Sequence, residues 1–179
     1  MRVLGILLSI GVAASSVAIS QAGFRRIAFV ENTNAAVPQC LRENLSLKEG
    51  ETDAAMGGVR VTDYIFTNKS SSACTLNGYP RLELLNRQGR VARRAVSKEQ
   101  LPDDSEKTPP KLVTLEPGKT GWFRLFYNVG GAGVIKPCPT YKLKIVAPGT
   151  TRAFIFRSFQ SCPRTDFQVS PVRSGMPRQ

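Results

Sequence analysis

Hydrophobic and polar positions alternate with a period of two along much of the chain, and that pattern predicts strands. Tyr141-Lys142-Leu143-Lys144-Ile145-Val146 sets Leu143 and Ile145 on one face and the two lysines on the other. In Trp122–Tyr127, Phe123, Leu125 and Tyr127 share a face opposite Arg124, and Arg152–Arg157 aligns Phe154 with Phe156. Leu82, Leu84 and Leu85 predict a strand over Arg81–Leu85. Shorter runs predict strands at Leu45–Lys48, Leu112–Leu115 and Phe167–Val172. Val59–Thr67 is rich in Val, Thr, Tyr, Ile and Phe. Its two faces both carry apolar residues, as in a central strand covered on both sides or one with a bulge.

Turn signals separate these segments. Asn86-Arg87-Gln88-Gly89 turns the chain so that Arg90–Ala95 can return as a hairpin. Glu116-Pro117-Gly118-Lys119 has Pro and Gly where a type II turn needs them, and Pro148-Gly149 forms another turn. Glu49–Gly58 is expected to be an acidic loop, Val96–Pro110 a long polar loop that is either functional or mobile, and Asn128–Pro139 a Gly-rich connection. Gly and Pro interrupt every long window outside the N-terminus, so helical periodicity is absent there. The expectation is an all-β fold: an antiparallel sandwich of about seven or eight strands, with a closed barrel as the rival topology.

The N-terminus reads as an export signal. Met1-Arg2 is positive, Val3–Ile19 is apolar or small and uncharged, and Ser20-Gln21-Ala22 suits cleavage after Ala22. The same run could serve as an uncleaved anchor. No cysteine lies near the cleavage point to take a lipid. The expected organisation is a signal peptide over 1–22, a lead-in over 23–39, a β-sandwich over 40–172 and a frayed tail over 173–179. The protein would be secreted or periplasmic.

Four cysteines, Cys40, Cys74, Cys138 and Cys162, fit two disulfides in an oxidising compartment. Their spacings of 34, 64 and 24 residues lack the close pairs of a zinc site. Strand order selects the partners. Cys138 precedes and Cys162 follows the hairpin over Pro148-Gly149, while Cys40 and Cys74 bracket the first two strands. The expected pairs are Cys40–Cys74 and Cys138–Cys162.

Charge narrows the choice of partner. The chain holds 25 basic and 13 acidic residues, a net charge of +12. Losing residues 1–22 removes only Arg2 and leaves +11. Such a balance attracts anionic polymers and lipids, and export argues against nucleic acid. The densest basic set is Arg81, Arg87, Arg90, Arg93 and Arg94, with Lys142 and Lys144 as outward-facing companions. The competing reading is a charged surface that simply keeps the chain soluble.

The chain contains no histidine, which removes Ser-His and Cys-His nucleophiles and His-containing metal sites. Asp63 and Glu83 are the strand carboxylates that a glycosidase-like pair would need, but solvated or ion-paired roles are the ordinary ones. Glu49, Glu51 and Asp53, like Asp103, Asp104 and Glu106, follow no calcium-loop pattern. Asn44 and Asn68 stand in glycosylation sequons. No catalytic residue, metal or cofactor is expected.

Cys40, then Asn68-x-Ser-x-x-x-Cys74-x-Leu76-x-Gly78-Tyr79-Pro80, then Leu115-x-Pro117-Gly118, then Cys138 and Cys162, form a distinctive set. In these residues the chain resembles the exported bacterial domains grouped as domain of unknown function 4232. The resemblance covers Cys40 to about Pro171. It implies an immunoglobulin-like β-sandwich outside the cytoplasm and brings no established activity or catalytic residue. The expected function is a non-catalytic binding module at the cell envelope, whose partner is an anionic polymer or an envelope protein. The alternatives are a structural or inhibitory protein that presents loops such as Val96–Pro110, and a carboxylate-based hydrolase.

Overall fold

Twelve strand segments form in the described residues, three of them only two or three residues long. The computed structural model describes residues 36–102, 107–130, 138–162 and 165–177. In chain order the segments are β1 (Leu45–Ala55), β2 (Val59–Asn68), β3 (Cys74–Asn77), β4 (Arg81–Leu85), β5 (Val91–Arg94) and β6 (Val96–Ser97). They continue with β7 (Leu112–Leu115), β8 (Thr120–Asn128), β9 (Thr140–Val146), β10 (Ala153–Gln160), β11 (Phe167–Val169) and β12 (Arg173–Ser174). The larger sheet runs β1-β2-β8-β11-β6, with β12 also on β8. The smaller sheet runs β10-β9-β4-β5, and β3-β7 forms a separate ladder. All pairings are antiparallel except β11 with β6.

Period-two alternation explains how the sheets pack. Tyr64 and Phe66 of β2 and Phe123, Leu125 and Tyr127 of β8 point inward from the larger sheet. They meet Leu82, Leu84, Leu143, Ile145 and Phe154 from the smaller one in a single core. Leu76 of β3 and Val113 and Leu115 of β7 join that core. Aromatic rings cross the interface, with Phe156 edge-on to Tyr64 and Phe159 4.6 Å from Tyr127. This is the expected all-β, immunoglobulin-like sandwich.

The β2 pattern that showed no clean polar face now has a cause. β2 lies between β1 and β8, and its inner face packs in the core. On its outer face, Val61 packs with Phe126 beneath Leu101, which is only 1% exposed. Leu101 belongs to the long polar loop after β5. That loop is fastened at two points, at Leu101 and through β6, which pairs with β11.

Two expected boundaries move. The segment from Glu49 onward is strand rather than loop, because β1 continues to Ala55 through a bulge between Glu49 and Thr52. At the bulge a Cβ on Gly50 would lie 3.0 Å from the Asp63 carbonyl, so the close approach of the two backbones favours glycine. Charges along β1 suit an edge strand, where water solvates them and they discourage unwanted pairing. The tail is also more ordered than expected. Arg173 and Ser174 pair with Trp122 and Gly121. The expected signal peptide and most of the expected lead-in lie outside the described residues.

Two disulfides fasten the ends of the sandwich, Cys40 to Cys74 and Cys138 to Cys162. The second closes the open end of the β9–β10 hairpin, beside the Thr140–Gln160 pair. The first sits where Cys40 N–H donates to the Thr75 carbonyl at 2.9 Å. The type II turn also forms. Gly118 has φ +75°, and Lys119 N–H donates to the Glu116 carbonyl at 2.9 Å.

Candidate functional site

The outward face of the smaller sheet is built around one carboxylate. Leu82 and Leu84 of β4 point into the core, which turns Arg81 and Glu83 outward. On β9 the inward Leu143 and Ile145 do the same for Lys142 and Lys144. Register then places Lys144 opposite Glu83 on one side and Arg94 opposite it on the other. Lys144 Nζ donates to Glu83 Oε2 at 2.9 Å, and Arg94 Nε donates to Glu83 Oε1 at 3.0 Å. The hydrogen bond from Lys144 is the main cause holding the Glu83 carboxyl below its ordinary range. Burial opposes the shift and Arg94 adds to it. Glu83 is 5% exposed while the Arg94 side chain is 67% exposed, so the carboxylate is consumed and the guanidinium still faces water.

The other cations on this face divide into two groups. Arg81 and Lys142 are exposed on the same outward face, two residues along the strands on either side of the Glu83 cluster. Arg87 and Arg90 project from the β4–β5 turn, where Asn86 Oδ1 accepts from Gln88 N–H at 3.1 Å and from Arg90 N–H at 2.9 Å. Arg93 does not belong with them. It lies opposite the inward Leu84, donates to the carbonyls of Cys162 and Thr165, and sits 5.7 Å from the Phe167 ring. The alternation that turns Arg94 outward turns Arg93 toward the end of the sandwich, where it braces the Cys162 region. Arg157 is a cation that the sequence reading did not include. It is exposed in the β10 bulge beside the level of Lys142.

The larger sheet carries different chemistry on its outward face. Arg124 makes a two-point contact with Asp63, Nε to Oδ1 at 2.8 Å and Nη2 to Oδ2 at 3.2 Å. Trp122 lies between Arg124 and Arg173, at 5.4 and 5.0 Å from its ring. A cleft of about 560 Å³ opens beside the β1 bulge, lined by Glu49, Glu51, Asp53, Asp63 and Arg124, among others. Asp63 and Glu83 therefore face away from each other on different sheets, with the core between them, and cannot act as a catalytic pair. Among the described residues no three acidic or thiol side chains gather to hold a metal. Asp103, Asp104 and Glu106 lie outside the described residues.

Asn68 is structural. Its Nδ2 donates to the carbonyls of Ser72 and Leu115, both at 2.8 Å, and its Oδ1 accepts from Ser70 N–H and Oγ–H at 2.9 and 2.7 Å. A fully buried amide with every bond made is no acceptor for a glycan in the folded chain.

The Pro117-Gly118 turn is bonded to the buried Asn68, whose carbonyl accepts from Gly118 N–H at 2.9 Å and whose N–H donates to the Lys119 carbonyl at 3.0 Å. The model of a family described as domain of unknown function (DUF4232) matches residues 40–173. The chain belongs to that family. No curated protein matches it. The DUF4232 domain here spans both sheets, both disulfides and the basic face.

Proposed function

We propose that this DUF4232 chain is an exported, non-catalytic binding domain that holds an anionic polymer of the cell envelope against the outward face of its smaller sheet. The observation that carries this reading is the charge balance of that face. Arg81, Arg94, Lys142 and Lys144 share it, Arg87 and Arg90 border it, and its one carboxylate among the described residues, Glu83, is buried and bound to two of the cations. A face meant only for solubility would gain nothing from excluding free carboxylates. The paired cysteines and the N-terminal sequence support export. The rival picture, in which the loop after β5 is presented to a protein partner, loses force because Leu101 and β6 tie that loop down.

Heparin serves as the test probe. Binding at about 0.1 M salt should weaken steeply as salt rises, because exposed charges are screened over about 10 Å at that ionic strength. Replacing Arg81 and Lys142 together by Glu should abolish it. Undiminished binding at about 0.5 M salt, or binding indifferent to the double reversal, would reject this face as the site.

A further inference from the structure

Resting on that reading, we infer that the polymer is a linear polyol phosphodiester, lying along the strand axis with its phosphates matched to the rungs of the sheet. Along the strands the outward positions repeat every second residue, about 6.6 Å. The first rung holds Arg81, opposite Val146. The second holds Arg94, Glu83 and Lys144, whose charges sum to one positive. The third holds Lys142, opposite Leu85, and the turn beyond it adds Arg87 and Arg90. Each rung is positive and none has a free carboxylate. The track extends for roughly 20 Å.

The rung spacing selects the ligand. A phosphodiester linked through a three-carbon polyol has as many backbone bonds per repeat as two residues of extended peptide, so its charges recur at about the rung distance. A glycan with one carboxylate per disaccharide has a wider charge spacing and would leave rungs unmatched. The side chains between the cations decide against single-stranded nucleic acid, whose binding uses aromatic platforms for the bases. On this face the exposed neighbours are aliphatic, Val91 on β5 and Ile155 on β10, which lies directly across from Lys144. A ring-free polyol can lie over them. Arginine and lysine along the track supply the donors that phosphate oxygens accept.

Short glycerol-phosphate oligomers test this by titration calorimetry, against three competitors of equal total charge. The first is a longer oligomer in which every second phosphate is methylated to a neutral triester, which doubles the charge spacing. The second is a hyaluronan oligosaccharide and the third oligothymidylate. The unmodified oligomer should bind at least tenfold tighter than each competitor. Arg81→Ala and Lys142→Ala should each weaken it about tenfold, with unchanged melting temperature because both side chains are exposed. Equal affinity for the spacing-doubled oligomer overturns the rung match, and equal affinity for oligothymidylate overturns the polyol assignment. In either case heparin binding that remains sensitive to the Arg81 and Lys142 reversals leaves the broader reading standing. Heparin binding that is absent from the unsubstituted protein, or indifferent to those reversals, would end both.

Discussion

Glu83 shows how a single side chain ties stability to the proposed surface. Its folded pKa is depressed, so its contribution is present above the ordinary carboxylate range and disappears as pH falls through the folded value. Glu83→Gln should cost about 1–2 kcal/mol at pH 7, a figure kept small because Arg94 is largely in water. Denaturant titrations at pH 7 and pH 3 should show that difference shrinking at the lower pH, and a constant difference would refute the ion-pair account. Asn68 has a larger effect because it is buried and makes four hydrogen bonds. Asn68→Asp keeps the acceptor but removes both donations, to Ser72 and Leu115. We expect a loss of about 2–3 kcal/mol, read as a lower denaturant midpoint with unchanged slope. Tyr64 is buried, its hydroxyl has no hydrogen-bond partner among the described residues, and burial raises its pKa first, with the Glu49 charge adding to it. It should stay protonated through any alkaline titration that leaves the fold intact.

At the scale of elements, the sequence marked most of the strands, the short β7 and β11 among them, and missed β3, β6 and β12. β8 and β9 were visible because each has an alternating inward face, and β4 because of its leucines. β3 and β6 were hidden. Cys74–Asn77 sits in a stretch dominated by turn formers, and Val96–Ser97 opens a charged, proline-containing segment. Each becomes a strand only because a distant partner, β7 or β11, offers its backbone. The extension of β1 was obscured for the opposite reason. An edge strand carrying Glu49, Glu51 and Asp53 looks like a loop until its pairing with β2 is known. The clamp at Leu101 makes a prediction here. Leu101→Ala should cost about 2 kcal/mol and raise hydrogen exchange around β6 while leaving β9 and β10 protected. Uniform loosening of the whole domain would contradict a local clamp.

For the whole molecule, the disulfides and the charge distribution matter most. Cys40–Cys74 and Cys138–Cys162 close loops of 34 and 24 residues. In the chain-entropy account each stabilises by about 3–4 kcal/mol, so replacing either pair by Ala should lower the denaturant midpoint by a corresponding amount. Two losses of similar size are expected because the loops are of similar length. The net charge of +12 is not spread evenly. The smaller sheet presents a cationic face and the larger one an Asp63–Arg124 pair beside an acidic edge. A ligand approaching from solution would therefore meet two faces of different chemistry.

The sequence alone determined the strand-based class, the cysteine partners and the cationic character, since all three follow from local alternation, turn residues and composition. It also carried the basic cluster as a set of residues. Only the tertiary structure decided which of these act together. Strand register put Glu83 between Lys144 and Arg94, and the same alternation sent neighbouring Arg93 to the other side of the sheet. It also set Asp63 and Glu83 back to back across the core. Such distinctions depend on which residue of one strand faces which residue of another. That pairing is settled by packing between segments far apart in the chain, so no local pattern can report it.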